Sequence, residues 1–416
     1  MQRAGAAAHD NDARLIRALT CLMFLMFAMT SDAVGSVIPR IIEEFGLSMK
    51  AAGAFHYVPM AAIALGALLL GLLADRWGRK ATIVAGLILY GASSLLFAFG
   101  ERFGAFVALL AVSGLGISLF KTGALALIGD ISTSTRQHTA FMNTVEGYFG
   151  IGAIIGPAVV ATLIAAGMSW KWLYVIAAAV CGVLILGALA VRYPEPRLIQ
   201  RESIDLRRTL RVMSNPYALG FSALIMLYVA VEVAIYVWMP TYLRGYDGEH
   251  AWLPVYALSI FFVLRATGRF FGAWLLGRFE WTAILGLFAF AIFGCFAGSL
   301  VFGATAGAFL LPLSGLFMSM MYPTLNSKGI SCFPKSAHGT VAGVILFFTA
   351  AAAALGPLAM AVISDAYGDA KYGFVLATVF AGLLLLGLTY NWMVDPARSQ
   401  LQQADAADYA EPAASK

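Results

Sequence analysis

Long apolar stretches alternate with short charged loops along the whole chain. Each stretch is close to the roughly 20 residues an α-helix needs to cross the hydrocarbon of a bilayer. The pattern predicts twelve spans, at 15–39, 52–74, 81–100, 104–128, 139–166, 171–191, 216–243, 252–276, 282–302, 305–329, 339–364 and 371–393. Connections are short except for 192–215, which holds Arg192, Arg197, Arg201, Arg207, Arg208 and Arg211. The expected organisation is a tail (1–14), a six-helix bundle (15–191), a linker (192–215), a second six-helix bundle (216–393) and a tail (394–416). The fold class expected is therefore an all-α polytopic membrane protein.

The two halves repeat each other. Pro39 in span 1 matches Pro240 in span 7, and Ser113-Gly114-Leu115 in span 4 matches Ser314-Gly315-Leu316 in span 10. Gly156-Pro157 in span 5 matches Gly356-Pro357 in span 11, and Asp75-Arg76 corresponds more weakly to Gly277-Arg278. Four matches in order at one near-constant spacing argue for duplication. Parallel repeats of this kind are a transporter architecture with a central site near the midplane.

Composition agrees with this picture: 61% of residues are hydrophobic, 12% are charged, and mean hydropathy is +0.83. Of the 27 Lys and Arg, 18 fall on the side of the N-terminus and 6 on the other. Lys121, Arg265 and Lys328 are left inside spans. The positive-inside rule then places both termini and the linker in the cytoplasm. The net charge of +5 reports orientation, with no nucleic-acid partner expected. Cys21, Cys181, Cys295 and Cys332 lie in or beside apolar segments without metal-ligand spacing, and read as small buried hydrophobes.

The chain's most concentrated polar feature is Gly71-Leu72-Leu73-Ala74-Asp75-Arg76-Trp77-Gly78-Arg79-Lys80, between spans 2 and 3. A positive-inside stop signal needs only the basic residues. Gly71, Asp75 and Gly78 are superfluous to it and point to a gate, in which Asp75 or Asp130 pairs with Arg79 across helix ends. The second repeat has lost this aspartate, so the first loop is expected to carry most of the gate.

The 71–80 stretch resembles the span 2–3 motif of the major facilitator superfamily. Gly152-Ala153-Ile154-Ile155-Gly156-Pro157 resembles that family's GxxxGP element in span 5. Glu232 to Trp238, Pro240, Tyr242, Leu243 and Met321-Tyr322-Pro323-Thr324 resemble its fucose-permease-like, sugar–proton symporter branch. The resemblance implies two pseudo-symmetric six-helix bundles, alternating access and, commonly, drive by protons. Two departures concern the cargo. Lys121 stands where that branch tends to carry a carboxylate, and Ala158-Val159-Val160 replaces the second glycine pair typical of drug–proton antiporters.

A charge at the bilayer centre costs roughly 2.5–3.5 kcal/mol on the lenient insertion scale, so intramembrane ions must face a cavity or a partner. Asp32 and Glu232 hold nearly symmetric places before Pro39 and Pro240, and Glu146 lies in span 5. Desolvation favours the protonated carboxylate, which suits a proton carrier; a structural salt bridge is the plain alternative. Arg265 is mid-span and able to hold a carboxylate bidentately. Lys121 is expected to pair with Glu146, and Lys328 to snorkel to the interface. Tyr228, Tyr236, Trp238 and Tyr322 offer rings and hydroxyls, and Asn326 lies one turn after Tyr322. Tyr228 and Glu232 share a helix face. If Arg265 is paired, a neutral polyhydroxylated solute is favoured; if it is free, an anion.

The expected function is secondary transport of a small hydrophilic solute, by proton-coupled symport across the inner membrane. The solute classes are a monosaccharide, a sugar acid or a related organic acid. Proton-antiport efflux of an organic compound and a non-transporting sensor are the other readings. No catalytic constellation, cofactor or metal site is expected. The partners expected are solute, protons and bilayer, and the state expected is a monomer.

Overall fold

The computed structural model describes residues 2–47, 51, 54–194 and 206–407. Arg197 and Arg201, the side chains of Pro39, Pro240 and Arg208, and the packing at Gly71 lie outside the described residues. The described residues are mostly helical, with no strand among them. In a bilayer only helices and closed barrels satisfy the backbone internally, so an apolar chain of this kind has little alternative.

The helices are α1 (Gln2–Ser31), α2 (Val34–Phe45), α3 (Ala54–Arg76), α4 (Arg79–Leu96), α5 (Phe103–Asp130), α6 (Thr135–Ala165), α7 (Trp172–Ala190) and α8 (Leu206–Met213). They continue with α9 (Pro216–Tyr242), α10 (Trp252–Leu275), α11 (Trp281–Met318), α12 (Met321–Ser331), α13 (His338–Tyr367), α14 (Ala370–Val394) and α15 (Arg398–Ala407). Local chemistry sets several boundaries. Asn215 accepts the Tyr217 N–H at 2.9 Å ahead of Pro216, an N-cap followed by proline at the first helical position. Gly78, at φ 87°, makes the sharp reversal between α3 and α4 in a region other residues avoid.

Among the described residues, nine segments are long and apolar enough to cross a membrane. One of them, Trp281–Ser331, holds two spans, because Gly303 at φ 79° reverses the chain inside it. Ala54–Leu70 is a shorter apolar segment, and α10 is a further 24-residue helix, apolar but for Arg265 and Arg269. Nine, plus one from the split, plus these two, gives the twelve expected. Two spans are discontinuous: span 1 breaks at Asp32–Ala33, between α1 and α2, and span 10 breaks at Ser319–Met320, between α11 and α12. The polar tail before residue 15 continues α1 as helix.

The chain forms two compact units. Unit 1 comprises residues 1–132, 148–213 and 333–347; unit 2 comprises 133–147, 214–332 and 348–416. The duplication is visible in how each unit packs. A Cβ on Gly114 would sit 2.6 Å from the Pro59 carbonyl oxygen in unit 1, and a Cβ on Gly315 would sit 2.6 Å from the Phe261 carbonyl oxygen in unit 2. A Cβ on Gly156 would lie 3.1 Å from Met29 Cα, and one on Gly356 would lie 3.3 Å from Ala230 Cα. The partners are themselves about 201 residues apart, so small residues admit the same close helix contacts twice.

Candidate functional site

In unit 1 the loop between α3 and α4 is a buried charge cluster. Arg79 is 1% exposed. Its Nη1 donates to Asp75 Oδ1 at 2.7 Å and to the Ala74 carbonyl at 2.8 Å. Its Nε donates to Asp130 Oδ2 at 2.7 Å, and its Nη2 to the Lys335 carbonyl at 2.7 Å. Both expected partners are therefore engaged at once. Asp75 also accepts the Gly339 N–H at 2.9 Å, the Thr340 N–H at 2.9 Å and the Thr340 hydroxyl at 2.7 Å. A helix start presents unsatisfied N–H groups and partial positive charge, so this carboxylate closes the beginning of α13. Arg76 is exposed at the end of α3.

Unit 2 holds a second polar network, inside the membrane-spanning region. Glu232 on α9 pairs with Arg265 on α10 at 2.6 Å, accepts the Tyr228 hydroxyl, and accepts the Tyr236 hydroxyl at 3.4 Å. The break in span 10 is part of this network. Pro323 has no N–H to give the Ser319 carbonyl one turn earlier. Arg269 Nε donates to that oxygen at 3.2 Å, and the Tyr228 hydroxyl donates to Met318 O at 3.1 Å. Arg269 Nη1 also donates to the Glu146 carbonyl at 2.7 Å, with Nη2 lying 3.6 Å from the Glu146 carboxylate.

This geometry corrects two expectations. Glu146 is partnered by Arg269, and Lys121 is not its counter-ion; instead Lys121 Nζ lies 4.8 Å from the Phe149 ring centre and 5.9 Å from that of Phe24, in unit 1. No carboxylate pairs with Lys121 among the described residues. Lys328 is 5% exposed, too buried for a snorkelling side chain, and its ammonium is 3.5 Å from the Thr135 hydroxyl. It helps line a cavity of about 290 Å³ with Arg136, Arg278, Glu280 and Trp281.

The other expected residues fall into place as follows. Asp32 is half-buried at the break between α1 and α2, where the Ser31 hydroxyl donates to it at 3.3 Å. Tyr322 is 7% exposed, and Trp238 is half-buried. Asn326 is fully buried, and neither of its amide atoms has a hydrogen-bond partner among the described residues. One oxygen of Glu146, Oε1, also has no donor among them.

With this geometry in view, a family model described as Major Facilitator Superfamily matches residues 20–357. The chain belongs to that superfamily. Over 399 residues this superfamily member is 27% identical to the 3-(3-hydroxy-phenyl)propionate transporter of Escherichia coli (strain K12), spanning 93% of this chain and 96% of that protein. The 4-hydroxybenzoate transporter PcaK of Pseudomonas putida is 24% identical over 262 residues, 54% of this chain and 58% of that one. The crystal structure of the superfamily transporter FucP in its outward conformation is similar in fold, with a TM-score of 0.78 at 19% identity, covering 91% of this chain and 99% of that one. The protein is thus a multi-pass membrane transporter of the twelve-helix superfamily fold, and not an enzyme.

Sequence reading did not single out Arg269 as a site residue. The signal was present: Arg265 and Arg269 are four residues apart and so share one helical face. Pro323 was a second signal, because it leaves the Ser319 carbonyl open for a donor.

Proposed function

We propose that this transporter moves a small aromatic hydroxy acid, or a close organic-acid relative, by proton-coupled symport through alternating access. Arg265 is paired with Glu232, which on its own would favour a neutral solute; the observation that carries the anionic reading is Lys121. Four other intramembrane charges are held in two pairs, Glu232–Arg265 and Glu146–Arg269. Lys121 places its amino group beside two aromatic rings, with no acid pairing it among the described residues. A carboxylate neutralises such a cation, and an aromatic solute packs on the half-buried Phe149 ring. Two relatives are named as transporters of aromatic acids, one of them matching nearly end to end. The fold likeness to a sugar symporter supports the architecture and carries no weight for cargo.

For coupling, Glu146 is the favoured proton site. Its carboxylate is at ion-pair distance from Arg269, outside ordinary hydrogen-bond length, with one oxygen open. Glu232 is saturated by an arginine and two tyrosines, which suits a fixed strut. The Asp75–Arg79–Asp130 cluster is read as a gate that opens once per cycle, at the face that the positive-inside bias assigns to the cytoplasm.

Counterflow in proteoliposomes tests this directly. Preloaded 4-hydroxybenzoate or 3-(3-hydroxyphenyl)propionate is expected to exchange, with fucose and xylose inert. Lys121→Gln should raise KM about tenfold, one lost charge-assisted contact, while leaving the thermal midpoint unchanged. Exchange of the sugars with the acids inert would sink the reading. Glu146→Gln should retain counterflow and lose accumulation driven by a pH gradient.

A further inference from the structure

The starts of α6 and α13 are equivalent places in the two repeats. Each carries a fully buried histidine, His138 and His338, 200 residues apart. His138 Nδ1 lies 2.7 Å from the Ser331 hydroxyl in unit 2, and His338 Nε2 lies 3.0 Å from the Phe333 carbonyl in unit 1. Both helix starts expose N–H groups that need an acceptor. At α13 that acceptor is Asp75.

The matching loop of the second repeat cannot supply the same group. It reads Gly277-Arg278 where the first repeat has Asp75-Arg76, with Glu280 for Gly78. Arg278 is exposed and stacks on the Trp274 ring at 4.4 Å. Glu280 is exposed at the position preceding α11. The acid at the start of α6 comes instead from α15, beyond the last span. Asp405 Oδ1 accepts the Thr135 N–H at 2.7 Å, and its Oδ2 accepts the Thr135 hydroxyl at 3.1 Å. Asp75 likewise takes the N–H and hydroxyl of Thr340, which lies two residues after His338 where Thr135 lies three before His138.

Three further observations seat α15 as a built element. Ala397, just before it, and Leu401 and Ala404 on it are buried, at four- and three-residue spacing along one face. Gln400 Nε2 donates to the Cys332 carbonyl at 3.1 Å, closing the last turn of α12. Lys335 Nζ does the equivalent for the Ser132 carbonyl after α5, at 3.2 Å. Thr135 also meets the buried Lys328 ammonium at 3.5 Å, which sets a cation near Asp405.

We propose that Asp405 is a positioning residue for the transport cycle, and that α15 replaces the gate acid that the second repeat's loop has lost. It touches neither solute nor coupling proton, and acts by holding the start of α6 within unit 2. The inference rests on the alternating-access reading.

The test uses the full-length protein with its four native cysteines replaced, carrying one reporter cysteine at a time. Met142→Cys reports the α6 contact, Val341→Cys the α13 contact, and Leu87→Cys the interior of unit 1; all three native side chains are fully buried. Asp405→Asn should speed maleimide labelling at Met142→Cys about tenfold, the scale of a lost helix cap, with Leu87→Cys unchanged. Thr135→Val, which keeps the N–H and loses the hydroxyl, should give a smaller rise, and Asp405→Glu should restore protection. Asp75→Asn should likewise expose Val341→Cys. If Val341→Cys responds to Asp75→Asn but Met142→Cys ignores Asp405→Asn, the α15 latch is wrong and alternating access stands. If neither reporter responds, both ideas fail. A parallel rise at Leu87→Cys means general loosening of the fold and overturns the positioning role.

Discussion

The polar interiors of the two units differ far more than their scaffolds. Asp32 and Glu232 occupy matching positions, 200 residues apart, as do Lys121 and Tyr322 at 201. Glu232 is locked by Arg265 and two tyrosines. Asp32 sits half-buried at a helix break with a serine beside it. Away from the helix ends, unit 2 holds two acid–arginine pairs, while unit 1 presents a lysine to aromatic rings. Duplication kept the glycine contacts, which no larger residue can make, and let the titratable chemistry diverge. On the proposed reading, the solute's charge is met in unit 1 and the proton in unit 2.

The sharpest way to break that comparison is at Arg269. Arg269→Gln leaves Glu146 buried without its cation, a change that costs about 3–5 kcal/mol. Thermal unfolding in detergent should show a large drop in midpoint, and counterflow should vanish. Adding Glu146→Gln should recover much of the stability, because two neutral amides cost less than one bare charge. If Arg269→Gln alone is as stable as the parent, the two units do not differ in the way argued.

The scaffold side of the comparison predicts equality. Gly114→Val and Gly315→Val each force a side chain against a backbone carbonyl now placed for no Cβ at all. Overpacking of this kind costs about 1–3 kcal/mol, and the two losses should agree within about 1 kcal/mol by thermal midpoint. Tolerance at one site and failure at the other would show that the repeat is only nominal.

These particular residues also mark what the chain made legible. Span count, duplication and an Arg79 pairing with Asp75 or Asp130 follow from hydropathy, small-residue spacing and one charged loop, all local signals; the burial of that arginine does not. The Tyr228–Glu232 contact was readable because four residues make one helical turn. The Arg269–Glu146 pair was not, since it joins helices whose residues are 123 apart in sequence. Asp405 was invisible for the same reason. A tail aspartate beyond the last span gives no periodicity to read, and its partner, Thr135, is 270 residues away. Local chemistry predicts elements; which distant element completes a site depends on packing.

The smallest effect separates the two tyrosines on Glu232. The Tyr236 hydroxyl reaches the carboxylate at 3.4 Å, beyond the ordinary range, and its ring is half-buried. The Tyr228 hydroxyl is fully buried and serves both Glu232 and the open Met318 carbonyl. Tyr236→Phe should therefore cost about 0.5 kcal/mol or less, the lower end for a hydrogen bond. Tyr228→Phe should cost about 1–3 kcal/mol, because it strands a buried acceptor. If Glu232 is the strut proposed, proton-driven accumulation in Tyr236→Phe should match the parent within twofold. A loss of accumulation in Tyr236→Phe, with counterflow intact, would move the proton site from Glu146 to Glu232 and make the half-buried tyrosine its relay.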